Sequence, residues 1–361
     1  MTRPGASTVE SGPTLALLPW GDMFEDWLDP LGVDLDGFRD SFSGSWMFAW
    51  VDALRLAGVR TTIVAVTKQV EQPLHFDHGP TQARVHLLPP TRVYRRTEAA
   101  ASRVDLGGRR DPRSVGEALL AHVSPYLATP PLRLAGVLSR ERCTAVVCQE
   151  YETARFDVAA AIGRLQRRPT FATFQGGDYQ VSRLERFVRP LSMRAANGFV
   201  VATRSEADRV GIRYRVPEER VARIFNPIDA DFWHREDRTA ARAELGLPEA
   251  AEVVAWHGQL HPRKGVDLLL EAWAAIRTSR PGRDLRLVLV GAGEQNGRQL
   301  IESSGAEGVE LVEEWVLDPK RIRRLLSAAD VYAFPSRHEG FPIAPVEAMA
   351  CGLPVVATAA Q

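Results

Sequence analysis

Runs of consecutive apolar residues alternate with segments of three- and four-residue apolar periodicity, which predicts strands alternating with helices. Thr14 to Trp20 reads as the first strand, and Gly21 to Gly44 as a long insert. Ser45 to Gly58 reads as a helix, with Trp46, Trp50, Ala53, Leu54 and Ala57 at helical spacing. Thr61 to Thr67 and Ala83 to Pro89 are strands rich in Val, Ile and Leu. The stretch from Val104 to Arg142 is mostly helical and broken at Pro130-Pro131. Ala145 to Glu150, Thr170 to Gln175 and Gly198 to Thr203 are further strands separated by helices such as Arg183 to Asn197; Val221 to Asn226 closes this half.

Residues 227–250 carry Pro227, Pro248 and many charges but no strand signal, so they read as an interdomain linker. The alternation then restarts. Glu252 to Gly258, Leu285 to Gly291, Val309 to Val316, Val331 to Ser336 and Pro354 to Thr358 are strands. Gly265 to Ser279, Pro319 to Ala329 and Pro345 to Cys351 are helices. Continuous apolar strands between helices imply parallel sheets covered on both faces. The expectation is an α/β chain with a disordered N-terminus (1–13), a Rossmann-like doubly wound domain (14–226), a linker (227–250) and a second such domain (251–361), the two facing a cleft.

Composition adds constraints. The 361 residues include 45 Lys+Arg and 45 Asp+Glu, so the absence of net charge gives no electrostatic case for a nucleic-acid partner. Cys143, Cys148 and Cys351 form neither a disulfide framework nor a zinc-site spacing, which fits a reducing, cytoplasmic setting. Met1 to Gly12 lacks a signal peptide's apolar core, and no apolar run reaches the ~20 residues of a membrane span. Any membrane contact is therefore expected to be peripheral, on the inner face.

The densest chemistry lies from Pro335 to Thr358. A strand ends in a loop holding Glu339 and Gly340, and a helix opens near Pro345 with Glu347 in its first turns. Free amides at such a helix start can cradle phosphate, and a carboxylate there can accept hydrogen bonds from a diol such as a ribose. The run Pro335-Ser336-Arg337-His338-Glu339-Gly340-Phe341-Pro342-Ile343-Ala344-Pro345-Val346-Glu347, with Ala348-Met349-Ala350-Cys351-Gly352-Leu353-Pro354 after it, closely resembles the donor-site signature of family-4 glycosyltransferases of the GT-B fold. That resemblance implies that Glu339 contacts the donor sugar, that Glu347 holds the ribose, and that the backbone of Gly340, Phe341, Pro342 and Ile343 holds the phosphates.

Upstream, Trp256-His257-Gly258-Gln259-Leu260-His261-Pro262-Arg263-Lys264-Gly265 is similar to the family segment in which an Arg and a Lys neutralise the pyrophosphate. Lys264 matches the Lys, and a departing nucleoside diphosphate needs such a cation. Gln259 stands where Arg is usual; Arg263 is a near but unmatched substitute. Gly291, in the turn Gly291-Ala292-Gly293 after a strand, borders the nucleotide by the same resemblance, and Ile224-Phe225-Asn226-Pro227 resembles the opening of the family's linker.

In the first half, Gln175-Gly176-Gly177-Asp178 sits where many relatives carry a His-Gly-x-Asp; Gln175 is no acid or base but can hydrogen-bond a sugar hydroxyl. Ser43-Gly44-Ser45 precedes the first helix, where the resembled family's first loop approaches the donor phosphates; Gly44 and Ser45 could do so, although Ser45 equally suits a helix N-cap. The insert interleaves Asp22, Glu25, Asp26, Asp29, Asp34, Asp36 and Asp40 with Phe24, Trp27 and Phe38, a pattern that suits a solvated loop pinned by aromatics better than a carbohydrate face. Asp34-Leu35-Asp36 is a short motif that arises easily by chance and does not follow a strand, and His75-Phe76-Asp77-His78 has no further ligands beside it, so both are poor metal sites. His338 is a candidate beside Glu339.

The resemblance implies a retaining glycosyltransferase that uses a nucleoside-diphosphate sugar, a glycan, lipid-linked or small-molecule acceptor, and no metal or other cofactor. It also implies that elements normally following Thr358 are missing, leaving the second domain incomplete. The alternative is a nucleotide-sugar-binding module or subunit without turnover, which the glutamines at 259 and 175 favour. Base, sugar and acceptor are open.

Overall fold

Successive side chains of β1 (Thr14–Leu18) go to opposite faces: Ala16 and Leu18 enter one apolar core and Leu17 another. This is the reason its unbroken apolar run becomes the centre of a sheet covered on both sides. The computed structural model describes residues 12–43, 46–101, 115–176 and 182–359. The chain divides into two units, Met1–Asn226 and Pro227–Gln361.

In the first unit, β1 is followed by α1 (Leu35–Asp40), α2 (Trp46–Leu56), β2 (Arg60–Val66), β3 (Leu74–Asp77) and β4 (Arg84–Leu88). Three helices, α3 (Arg92–Ala101), α4 (Val115–Ala128) and α5 (Pro131–Arg140), lead to β5 (Ala145–Cys148). Then come α6 (Ala154–Leu165), β6 (Thr170–Thr173), α7 (Arg183–Ala195), β7 (Gly198–Val201), α8 (Arg204–Tyr214) and β8 (Val221–Arg223). The eight strands lie in the order β3-β4-β2-β1-β5-β6-β7-β8.

Three sequence expectations need correction here. The sheet is not wholly parallel, because β3 runs antiparallel to β4. The β3 segment holds His75 and Asp77; His78 just beyond it is buried, with its ring nitrogens 2.8 Å from Thr81 Oγ1 and from the Phe42 carbonyl oxygen, and its ring stacked on Phe48. The insert is not a loop: it folds into a π-helical turn at Phe24–Leu28 and into α1, with Phe24 and Phe38 fully buried. Its acids serve the fold, Asp34 capping α1 by accepting from Gly37 N at 2.7 Å and Glu25 accepting from Thr67 Oγ1 at 2.8 Å. The buried face of α2 carries Met47, Phe48 and Val51 rather than the Trp50, Ala53, Leu54 and Ala57 stripe.

The second unit begins with α9 (Arg238–Glu244), inside the stretch read as a linker. Asp237 caps it by accepting from Ala240 N at 2.7 Å. It is followed by β9 (Glu252–His257), α10 (Val266–Ser279), β10 (Leu285–Val290), α11 (Gly297–Ser304) and β11 (Val309–Val312). The chain continues through α12 (Pro319–Ala328), β12 (Val331–Phe334), α13 (Ile343–Ala350) and β13 (Val355–Ala357). Fully buried Arg242 ties α9 down by donating to the carbonyls of Ala328 and Ala251 and to Asp330 Oδ2 at 2.8–3.0 Å. β11 stops at Val312 because Glu313 turns to α11, its carboxylate accepting from Gly297 N at 2.5 Å.

These five strands are all parallel, in the order β11-β10-β9-β12-β13. Val253, Ala255, Val288 and Val290 fill one face; Trp256, Leu285, Leu287 and Leu289 fill the other. From β9 the chain winds outward through β10 and β11, and then returns to place β12 on β9's other side. The loops after β9 and β12 therefore diverge, and this reversal is where open α/β sheets leave a crevice for ligands.

Candidate functional site

The loop after β9 is a single 3-10 turn, Pro262–Lys264, closed by Gly265 in the left-handed region at φ +69°. A Cβ at Gly265 would run into the Pro335 carbonyl oxygen, so only glycine lets this loop meet the one after β12. Two hydrogen bonds join them: Arg337 N donates to Arg263 O at 2.8 Å and Arg337 Nη1 donates to Pro262 O at 2.7 Å, with Ser336 Oγ packed 3.2 Å from the Arg263 carbonyl oxygen. Arg337 also grips Asp267, in the first turn of α10, through two bonds of 2.7 and 2.8 Å. That fork holds the Asp267 carboxyl below the usual carboxylate range.

On this frame Lys264 and Glu339, 75 residues apart in sequence, form an ion pair with Nζ 2.6 Å from Oε1. Ser336 Oγ donates to the same carboxylate oxygen at 2.6 Å. Ser336 is buried, whereas the Lys264 and Glu339 side chains keep 22% and 13% of their surface, enough for a ligand to reach both. On α13, Glu347 Oε2 lies 2.9 Å from Nε2 of His257, the last residue of β9. Tyr332 on β12, fully buried, donates its hydroxyl to the His257 carbonyl oxygen at 3.1 Å; burial drives that phenol's pKa upward.

α13 starts at Ile343, with Pro342 at the cap and no side chain capping it. The expected opening at Pro345 is therefore two residues late. Its first amides, on Ile343 and Ala344, lack intrahelical acceptors and suit an anion. Gly340 and Phe341 lie half-buried in the preceding loop. Gln259 is half-buried in the loop after β9, with no hydrogen-bond partner for its side chain among the described residues. Arg263 contributes its backbone carbonyl to the loop contact, while its Nε is buried and unpartnered among the described residues. Gly291 follows β10 where a Cβ would strike the Gly258 carbonyl oxygen, and its amide donates to Val312 O at 3.0 Å.

The structure thus brings together Lys264, Glu339, Glu347, Gly340, Phe341, Pro342 and Ile343 around the loops after β9 and β12. Gln175, in the first unit, is taken up internally: its amide exchanges hydrogen bonds with Asn226 at 2.8 and 3.3 Å, and Asn226 also accepts from Trp50 Nε1 at 3.0 Å. Gly176 is in a left-handed turn at φ +91°. Gly44, Ser45 and Asp178 lie outside the described residues. His338 is half-buried beside Glu339, and its carbonyl oxygen lies 3.3 Å from Ser336 Oγ. Sequence reading gave no role to His257, Ser336, Arg337 or Asp267, although all four stand in or beside the segments that carry the resemblance. Among the described residues no three His, Cys, Asp or Glu side chains gather as metal ligands, and no helix is long and apolar enough to cross a membrane.

Two doubly wound α/β units of this topology define the GT-B class of glycosyltransferase folds. Solved structures share it across nearly the whole chain. Alr3699/HepE of Anabaena, in complex with UDP, superposes with a TM-score of 0.63 at 18% identity, covering 97% of this chain and 81% of that one. The catalytic domain of starch synthase IV from Arabidopsis thaliana, bound to ADP and acarbose, gives 0.62 at 14% identity, covering 96% and 83%. Residues 251–361 match the family model of glycosyl transferases group 1, and residues 82–232 that of glycosyltransferase family 4; together they support a family 4 glycosyltransferase. Among named relatives, the D-inositol 3-phosphate glycosyltransferase of Saccharomonospora viridis is 37% identical over 171 residues, 45% of this chain and 39% of that protein. The enzyme of the same name from Segniliparus rotundus is 34% identical over 180 residues, 48% of this chain and 40% of that one. The matched segments thus span about two fifths of these relatives.

Proposed function

We propose that the chain transfers a glycosyl group from a nucleoside-diphosphate sugar to an acceptor hydroxyl, with retention at the anomeric carbon, and that the second unit holds the donor. The observation that carries this reading is the Lys264–Glu339–Ser336 cluster beside Glu347 where the strand order reverses. Lys264 and the free amides opening α13 face the diphosphate and take up the charge that grows on it. Glu339, aligned by Ser336, orients the donor sugar's hydroxyls, and Glu347 takes the ribose diol. The donor's C1–O bond breaks toward the nucleoside diphosphate, and the acceptor oxygen bonds C1 on the same face. The acceptor's proton leaves with a departing phosphate oxygen, so this route calls for neither a carboxylate nucleophile nor a metal.

UDP in the Alr3699/HepE structure makes a uridine nucleotide the first donor to try. The name of the sequence relatives makes a phosphorylated cyclitol the first acceptor. Three buried, unpaired cysteines support a reducing, cytoplasmic setting. A second reading, a nucleotide-sugar-binding module without turnover, draws on Gln259, which puts an amide where the resembled family has a cation. A panel of nucleotide sugars screened by thermal shift, followed by product NMR with inositol phosphate, separates the two. Transfer with retained configuration that Glu339→Ala abolishes supports the transferase. Binding without transfer or donor hydrolysis supports the module, and near-normal turnover in Glu339→Ala refutes the site.

A further inference from the structure

We infer that His257 is a positioning residue that presets Glu347 for a ribose 2′-hydroxyl, and that this restricts the donor to ribonucleotide sugars over 2′-deoxyribonucleotide sugars. The inference rests on the donor-site reading above. His257 ends β9, and Glu347 projects from α13; their side chains keep only 11% and 16% of their surface. The Nε2–Oε2 distance is 2.9 Å. The other ring nitrogen, Nδ1, is buried with no partner among the described residues. A carboxylate oxygen only accepts, so the Nε2 that faces it carries a proton and gives it to Glu347. The imidazole cannot turn away freely, since its strand end is held by Tyr332 Oη on the His257 carbonyl oxygen and the Tyr332 ring lies 5.4 Å from its own.

One carboxylate oxygen of Glu347 is thereby fixed, and Oε1 has no partner among the described residues. A fixed carboxylate with one open oxygen distinguishes a ligand that offers a hydroxyl from one that does not. Loss of the hydroxyl leaves a desolvated acceptor unmatched, whereas a carboxylate free to swing would find water instead.

The test compares UDP with 2′-deoxy-UDP, and likewise the ADP and GDP pairs, by calorimetry on the wild-type chain, His257→Leu and His257→Gln. Wild type is expected to prefer the ribonucleotide by about tenfold or more, the loss of one hydrogen bond to a charged group. In His257→Leu the preference falls toward unity while affinity for the deoxynucleotide changes less than about twofold; His257→Gln, whose amide can reach the same oxygen, restores most of it. A structural role alone would weaken both nucleotides together. If His257→Leu does not melt cooperatively, His257→Phe keeps a ring against Tyr332 and gives the same reading. An unchanged ratio in a folded variant overturns the inference and leaves the donor site standing. If wild type binds none of the nucleoside diphosphates, the donor-site reading falls and the inference with it.

Discussion

The Lys264–Glu339 pair is the contact on which the candidate site most depends, and its strength can be measured without a substrate. At 2.6 Å and an effective dielectric of about 20, the gross attraction is roughly 6 kcal/mol. Withdrawing both charges to 22% and 13% side-chain exposure takes back most of that. A net coupling of about 1–3 kcal/mol remains, above the 0–1 kcal/mol typical of exposed pairs. The perturbation is a cycle of Lys264→Met, Glu339→Gln and the double variant. Glu339→Gln is the milder single change, because a glutamine oxygen can still accept from Ser336 Oγ, which Glu339→Ala strands. Urea denaturation of all four proteins gives the coupling as the non-additive part of the stability loss, provided the slope m is constant. A coupling below about 0.5 kcal/mol refutes the claim that the pair is stronger than an exposed one. Adding a bound nucleoside diphosphate should shrink the coupling, since the diphosphate draws Lys264 away from Glu339.

Three further outcomes follow from the same geometry. Gly265→Ala should cost about 2 kcal/mol or more and abolish nucleotide binding, because its Cβ meets the Pro335 carbonyl; Gly305→Ala, also left-handed at φ +63° but facing open space, should cost about 1 kcal/mol by thermal melting, and equal losses would sink the steric argument. Asp267 is held below its ordinary 3.8 by Arg337, so its stabilisation is present above that pH and is lost as pH falls through the depressed value. Asp267→Asn should therefore destabilise by up to about 1 kcal/mol at pH 7, discounted for side chains 41% and 43% exposed, and by progressively less in melts below pH 3.8. Burial pushes the thiols of Cys143, Cys148 and Cys351 up to about 11, so the native protein should resist a thiol reagent at pH 8 and yield three equivalents in guanidinium; their contribution to stability is complete below about pH 9 and lost as pH rises through 11.

Much of this architecture was readable because it depends on local signals. The apolar runs at Leu285 to Gly291 and Val331 to Ser336 are strands since each buries both faces, a property of the run itself. The reading failed where a local pattern allowed two answers. α2, with the sequence Trp-Met-Phe-Ala-Trp-Val-Asp-Ala-Leu-Arg-Leu, is apolar on most sides, so spacing alone could not choose Met47, Phe48 and Val51 over Trp50. Trp50 is used for its indole N–H, given to Asn226, a partner 176 residues away. The acids of the insert suggested solvent, yet Glu25 and Asp34 end on backbone amides. Charge in a sequence does not say whether its partner is water or an N–H.

The candidate site shows the same division. Its glycines signalled turns, but their positions are set by backbone meeting backbone: Gly265 against Pro335, Gly291 against Gly258, and Gly293 against Leu260, whose amide donates to Ala292 O at 2.9 Å. These contacts bring the ends of β9, β10 and β12 into fixed register, and side chains on different loops then find each other. Lys264 with Glu339, His257 with Glu347 and Arg337 with Asp267 are separated by 75, 90 and 70 residues. A motif could name Lys264, Glu339 and Glu347, because their residue types suit phosphate and diol. It could not supply His257, Ser336 or Asp267, whose value lies only in what they touch. Groups that hold a site in shape become visible when the fold closes the distance, and the strand reversal between β9 and β12 is the step that closes it here.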